Sequence, residues 1–248
     1  EASTSETNTL SITTGSLTVG GDITIPQTVS TGSNILSVGA GSLTAANLAF
    51  TASGSGAGHQ LTIAGGTATI SGNITGIGAS STIQFTGTGL LRVGGNMFSS
   101  TMGTLTSIAG STVEYTGAAQ TVQAFGYNNL TLSGSGTKTL AAATTVGGNL
   151  SIGDGVTFTI AGFDFTVNGT TTVGGGTSGV LSFATSALGI KTFIGLVTIN
   201  NGASWSNTIN EGFTFRGGIT NNGTFTAGTG LYTFSTNSQS LTGTFAIP

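Results

Sequence analysis

The chain has 248 residues, of which only four are Lys or Arg and seven Asp or Glu, for a net charge of −3, while glycine alone supplies 44. A charged fraction of 4%, against about 25% in an ordinary soluble domain, excludes a basic nucleic-acid groove and a polybasic lipid patch. Zero cysteines exclude a disulfide framework and a thiolate metal site, and a mean hydropathy of +0.32 with so little charge is the reverse of a disordered composition.

The chain opens Glu1-Ala2-Ser3-Thr4-Ser5-Glu6, without Met or a basic leader, which points to a mature product whose export signal has been removed. Short runs that alternate apolar and small polar residues then follow: Leu10-Ser11-Ile12, Leu17-Thr18-Val19, Ile23-Thr24-Ile25, Leu61-Thr62-Ile63, Thr82-Ile83-Gln84-Phe85, Leu130-Thr131-Leu132, Leu150-Ser151-Ile152 and Val197-Thr198-Ile199. A period of two, β-branched residues, and Gly, Asn or Ser at the boundaries predict strands separated by turns. No stretch carries a helical period. Ala141-Ala142-Ala143 comes nearest, and it runs directly into Thr144-Thr145-Val146.

A degenerate unit recurs between these runs as Val19-Gly20-Gly21-Asp22-Ile23, Ile70-Ser71-Gly72-Asn73-Ile74, Val93-Gly94-Gly95-Asn96-Met97 and Val146-Gly147-Gly148-Asn149-Leu150. Gly and Asn tolerate positive φ, so this unit is expected to bend the chain between strands. Blocks of strand and turn return about every twenty to thirty residues, the scale of one solenoid coil. The expected fold is therefore an all-β parallel β-solenoid (β-helix) with irregular coils, its narrow interior filled by Val, Ile, Leu and Phe. A β-sandwich, or a pair of them, is the alternative. Ten of the 14 phenylalanines and the single Trp205 fall late in the chain. One elongated domain is expected over 1–248, with a slimmer aliphatic part to about residue 150 and an aromatic-rich part over about 151–248.

Chemistry-bearing residues are sparse. Glu1, Glu6, Asp22, Glu114, Asp154, Asp164 and Glu211 are widely spread. Asp154 and Asp164 with Lys138 or Lys191 make the best constellation for a glycan lyase or hydrolase, but aspartates capping glycine turns are the simpler reading, and no enzyme is expected. His59, alone in Gly54-Ser55-Gly56-Ala57-Gly58-His59-Gln60, reads as an exposed loop residue rather than a metal ligand. No cofactor or metal is expected, and no membrane-spanning helix. The sequons at Asn73, Asn129, Asn149, Asn168 and Asn222 mark exposed turns. Thr-x-Thr pairs at Thr67/Thr69, Thr137/Thr139, Thr157/Thr159 and Thr224/Thr226 raise ice binding, although they lie at irregular intervals.

The stretch Ser111-Thr112-Val113-Glu114-Tyr115-Thr116-Gly117-Ala118-Ala119-Gln120-Thr121-Val122, continued by Tyr127-Asn128-Asn129-Leu130-Thr131-Leu132 and on to Phe158, resembles the repeats of secreted bacterial surface proteins of the β-helical adhesin type. The resemblance implies an exported, extracellular or cell-surface repeat protein and carries over no catalytic residues. Those proteins are long, so a chain of this length is expected to assemble with copies of itself. The strand-like, uncharged segments near the two termini mark the contact: Leu10, Ile12, Leu17 and Val19 at one, Tyr232, Phe234, Phe245 and Ile247 at the other. The expected function is a structural subunit joining head-to-tail into a filament, fibre or sheath. The alternatives are an adhesin or glycan-binding module, using Tyr115, Tyr127, Trp205 or Tyr232 as exposed stacking platforms on glycans or a cell surface, and, third, an ice-binding solenoid.

Overall fold

A computed structural model of the chain describes residues 7–26, 32–51, 58–184, 188–235 and 239–248. Among the described residues it contains no helix, and its strands stack in parallel as a β-solenoid of about 10 turns. The chain divides into two compact units, Glu1–Glu114 and Tyr115–Pro248. The sandwich alternative is set aside by the pairing itself. Among the described residues each strand bonds to the strand one coil away, by between 18 residues (Gln120 opposite Lys138) and 26 residues (Asn8 opposite Asn34), and none bonds to its sequence neighbour as a hairpin would.

In the first unit each coil visits three faces. The first stacks Thr7–Ile12, Ser33–Val38, His59–Ile63, Ser81–Phe85 and Thr104–Thr106; the second stacks Ser16–Thr18, Ser42–Ala45, Thr67–Ile70 and Leu90–Val93; the third stacks Ile23–Pro26, Leu48–Thr51 and Ile74–Thr75. The period-two pattern decides what faces inward. Along His59–Ile63 residues 59, 61 and 63 are buried while Gln60 and Thr62 are not, and in-register pairing sets Leu10, Leu36 and Leu61 in one inward row.

The second unit is built the same way. Its first face stacks Asn129–Leu132, Leu150–Ile152, Thr171–Val173, Val197–Ile199, Ile219–Asn221 and Leu241–Gly243. Its second face stacks Gln120–Val122, Gly136–Leu140, Val156–Thr159, Val180–Phe183, Ser204–Asn207 and Thr224–Thr226, and its third stacks Thr144–Val146, Phe165–Val167, Lys191–Phe193, Phe213–Phe215 and Tyr232–Phe234. Here the second and third faces add aromatic residues to their inward rows. Trp205 lies 4.8 Å from the rings of Phe183 and Phe213 and 5.3 Å from Phe193.

The Gly-Gly-Asn unit is a corner, as expected, but its glycines are required for another reason. Gly94 and Gly95 are absent from the residues with positive φ. A Cβ on Gly94 would collide with the Ser71 carbonyl oxygen, and one on Gly95 with the Asn73 side chain. Close approach of consecutive coils, rather than a left-handed turn, excludes larger residues there. The Asn that follows makes the corner repeat. Asn47 Nδ2 donates to Asp22 Oδ1 at 2.8 Å, the Asn73 N–H donates to Asn47 Oδ1 at 2.7 Å, and the Asn96 N–H donates to Asn73 Oδ1 at 2.8 Å. The second unit repeats the device, with the Asn149 N–H donating to Asn129 Oδ1 and the Thr170 N–H to Asn149 Oδ1, each at 2.9 Å. Three of the five sequon asparagines are thus ladder members.

Candidate functional site

Most charged residues are committed to holding neighbouring coils. Asp154 Oδ1 accepts from the backbone N–H groups of Gly175 at 2.7 Å, Ser178 at 3.0 Å and Thr177 at 3.3 Å, and these bonds hold its carboxyl down at about 2. Asp164 accepts from the Ile190 N–H at 2.6 Å. Arg92 Nε donates to Glu114 at 2.8 Å on an exposed surface, where such a pair contributes little. The constellation of Asp154, Asp164, Lys138 and Lys191 is not assembled. Lys138 donates instead to the carbonyl of Gly117 at 2.6 Å and to Gln120 Oε1 at 3.0 Å, clipping the turn between two strands, and Lys191 pairs with Glu211. Glu1 and Glu6 lie outside the described residues. Among the described residues no group of three or more His, Asp or Glu could hold a metal ion, and no helix is long and apolar enough to cross a membrane.

Two sequence expectations are corrected. His59 is not on an exposed loop: it opens the strand His59–Ile63, is fully buried, and its Nδ1 accepts from the Asn34 N–H at 3.4 Å, burial pushing its pKa down. It occupies an inward place in the same alternation as Leu61 and Ile63. Likewise Tyr115, Tyr127 and Trp205 are no stacking platforms, because all three are buried, and Tyr232 is half-buried against Phe213 and Phe215. A solenoid turns alternate residues inward, and in these strands the aromatics hold those places.

Burial also creates a pH signature. Tyr115 and Tyr127 share a hydrogen bond of 2.9 Å between their hydroxyls, and Tyr127 donates to the Gln123 carbonyl at 2.7 Å. Burial pushes Tyr115 up to about 12 and Tyr127 well above its ordinary value, and it pulls the Lys138 ammonium down to about 8. The signs are opposite. The depressed Lys138 disfavours folding while charged, so stability rises as pH climbs from about 8 towards 10.5, the value in the unfolded chain. The raised tyrosines contribute stability that is present below pH 10 and lost above it, as the unfolded chain ionises first. Urea midpoints should increase from pH 7 to pH 9.5 and fall by pH 11.5. Lys138→Met should abolish the first change alone; an unaltered rise in that variant would assign it elsewhere.

The predicted assembly residues fall in two groups, one in each unit. In the first unit Leu10 is 60% exposed, although Leu36 and Leu61 in the same row are 4% and 0% exposed. Ile12 is buried, and Leu17 and Val19 are half-buried. The strand Thr7–Ile12 bonds to Ser33–Val38 on one side and to no described strand on the other. Below it lies an open groove of about 470 Å³, lined by Leu10, Ile23, Ile25, Pro26 and Leu36 among others. In the second unit Phe234 is 37% exposed where Phe215, one coil back, is fully buried, and Leu241 is exposed where Ile219 is buried. The last strand is Leu241–Gly243, so the strand expected over Thr244–Ile247 is not formed. Phe245 and Ile247 are half-buried, with the Phe245 ring edge-on to Phe225 at 5.3 Å.

Parallel coils paired in register, asparagine corners and alternating inward rows define a β-solenoid repeat protein. Comparison with protein-family models, curated proteins and solved structures gives no match.

Proposed function

We propose that the chain is an extracellular structural subunit, of the secreted bacterial surface type that Ser111–Phe158 resembles, and that it joins copies of itself head-to-tail through its strand edges into a filament, fibre or sheath. The observation that carries this reading is Leu10, a core residue by row yet more than half exposed, on a strand that pairs with a described strand on one side only. Free strand edges over an open apolar interior invite another β-strand layer, and soluble solenoids ordinarily cover such ends with a polar cap. The two margins are unlike: aliphatic around Leu10, Ile12, Leu17 and Val19, aromatic around Tyr232, Phe234 and Phe245. Contact between unlike surfaces is head-to-tail, and it propagates wherever its rotation does not close a ring. The near-absence of charge limits repulsion between successive subunits.

Negative-stain microscopy across a dilution series, with sedimentation on the same samples, tests the reading. The expected result is long uniform fibres that persist on dilution. Leu10→Asp should shift the material to particles of about one 24.2 kDa chain, because a carboxylate is then buried at each junction. Discrete single-chain particles for the unaltered protein at every concentration would overturn the proposal.

A further inference from the structure

We infer that the second face of the second unit is a water-ordering surface that binds ice. The threonine pairs that look irregular along the chain come into register here. One outward row runs Thr137, Thr157, Val180, Ser204, Thr224, and a parallel row runs Thr121, Thr139, Thr159, Ser182, Ser206, Thr226. The residues between the rows, Lys138, Phe158, Leu181, Trp205 and Phe225, alternate with them and point inward. No charged side chain therefore stands in either row.

Two adjacent rows make a lattice, whereas one row makes only a line. Neighbouring strands lie about 4.8 Å apart and residues i and i+2 about 6.7 Å apart, which sets a two-dimensional net of hydroxyls close to the oxygen repeats of hexagonal ice. The other two faces offer only single rows: Thr131, Ser151, Thr172, Thr198, Thr220, Thr242 on the first and Thr145, Thr166, Thr192, Thr214, Thr233 on the third.

Thr121 aside, most hydroxyls of this face are also unspent. Those of Thr137, Thr139, Thr157, Thr159, Ser204, Ser206, Thr224 and Thr226 make no hydrogen bond within the described residues. In the first unit, by contrast, the Ser42 hydroxyl donates to Ser16 at 2.8 Å and those of Thr82 and Thr104 share a bond of 2.9 Å. Each unspent hydroxyl offers one donor and two acceptor positions to water. Branching at Cβ restricts threonine χ1, so the net is stiff before water arrives. The coil Val180–Phe183 is the one defect, Val180 supplying a methyl group without a hydroxyl and Ser182 being buried.

The test is partition into ice grown slowly from a dilute solution of the intact chain, with thermal hysteresis read on the same samples. The unaltered protein should enter the ice and Thr159→Lys should remain in the liquid, while Thr172→Lys, on a single-row face, should partition as the parent does. Circular dichroism checks that the strands survive, and Thr137→Lys, at a more exposed place in the same net, replaces Thr159→Lys if that variant fails to fold. Exclusion of the unaltered protein from ice overturns the inference. So does an equal loss in Thr172→Lys, or binding to crystalline polysaccharide without any partition into ice.

Discussion

Replacing Trp205 by Ala should destabilise the second unit by about 3–5 kcal/mol, the cost of emptying a large aromatic site that cannot collapse. Trp205 is fully buried and central to the aromatic interior, stacked on Phe225 at 5.6 Å, edge-on to Phe213 at 4.8 Å and tilted against Phe183 and Phe215 at 4.8 and 5.5 Å. Those rings come from the strands Val180–Phe183, Phe213–Phe215 and Thr224–Thr226, each pinned by backbone pairing. None can slide into the void without breaking a ladder. Trp205→Phe should cost clearly less. The buried indole Nε1–H has no hydrogen-bond partner among the described residues, so the smaller ring also removes an unsatisfied donor. Urea midpoints followed by circular dichroism separate the two variants. Equal, small losses in both would show that strand pairing rather than aromatic packing holds this unit.

The solenoid was legible in the sequence because its interior obeys a period of two. Leu61-Thr62-Ile63 and Leu150-Ser151-Ile152 read as half-buried strands and are. The glycine-rich corners were legible as corners, but not the reason for them. Whether a position is crowded depends on the coil beside it, as Gly95 depends on Asn73. The same distance in sequence hid the site. His59 follows a run of glycine and serine, and only the register with Ser81 and the alternation through Leu61 and Ile63 mark it as inward. The threonine net was hidden because coils of unequal length place its members at unequal intervals, while stacking aligns them by face. The lysines carried a usable signal. In Thr137-Lys138-Thr139 the flanking threonines claim the outward positions, leaving Lys138 the inward one.

Lys191→Met should destabilise the second unit by about 3–5 kcal/mol, because it strands a buried carboxylate. Lys191 occupies an inward row between Phe165 and Phe213, where an aromatic residue would be expected, and both it and Glu211 are buried. Its Nζ lies 2.7 Å from Glu211 Oε2, on an approach too oblique for a directed hydrogen bond, and donates to the Leu188 carbonyl. Asn207 places the acid: its Nδ2 donates to the Glu211 carbonyl at 2.9 Å and its Oδ1 accepts from the Glu211 N–H at 2.9 Å. The pair therefore fixes the segment between the strands Ser204–Asn207 and Phe213–Phe215. Attraction between buried charges barely offsets their lost hydration, so Lys191→Met combined with Glu211→Leu should recover most of the stability lost in the single variant. Trp205 fluorescence reports both, since the only tryptophan lies in the same unit, 5.3 Å from Phe193 in the lysine's own strand. A double variant no more stable than Lys191→Met would mean that the pair holds the second unit through its specific geometry rather than by cancelling charge.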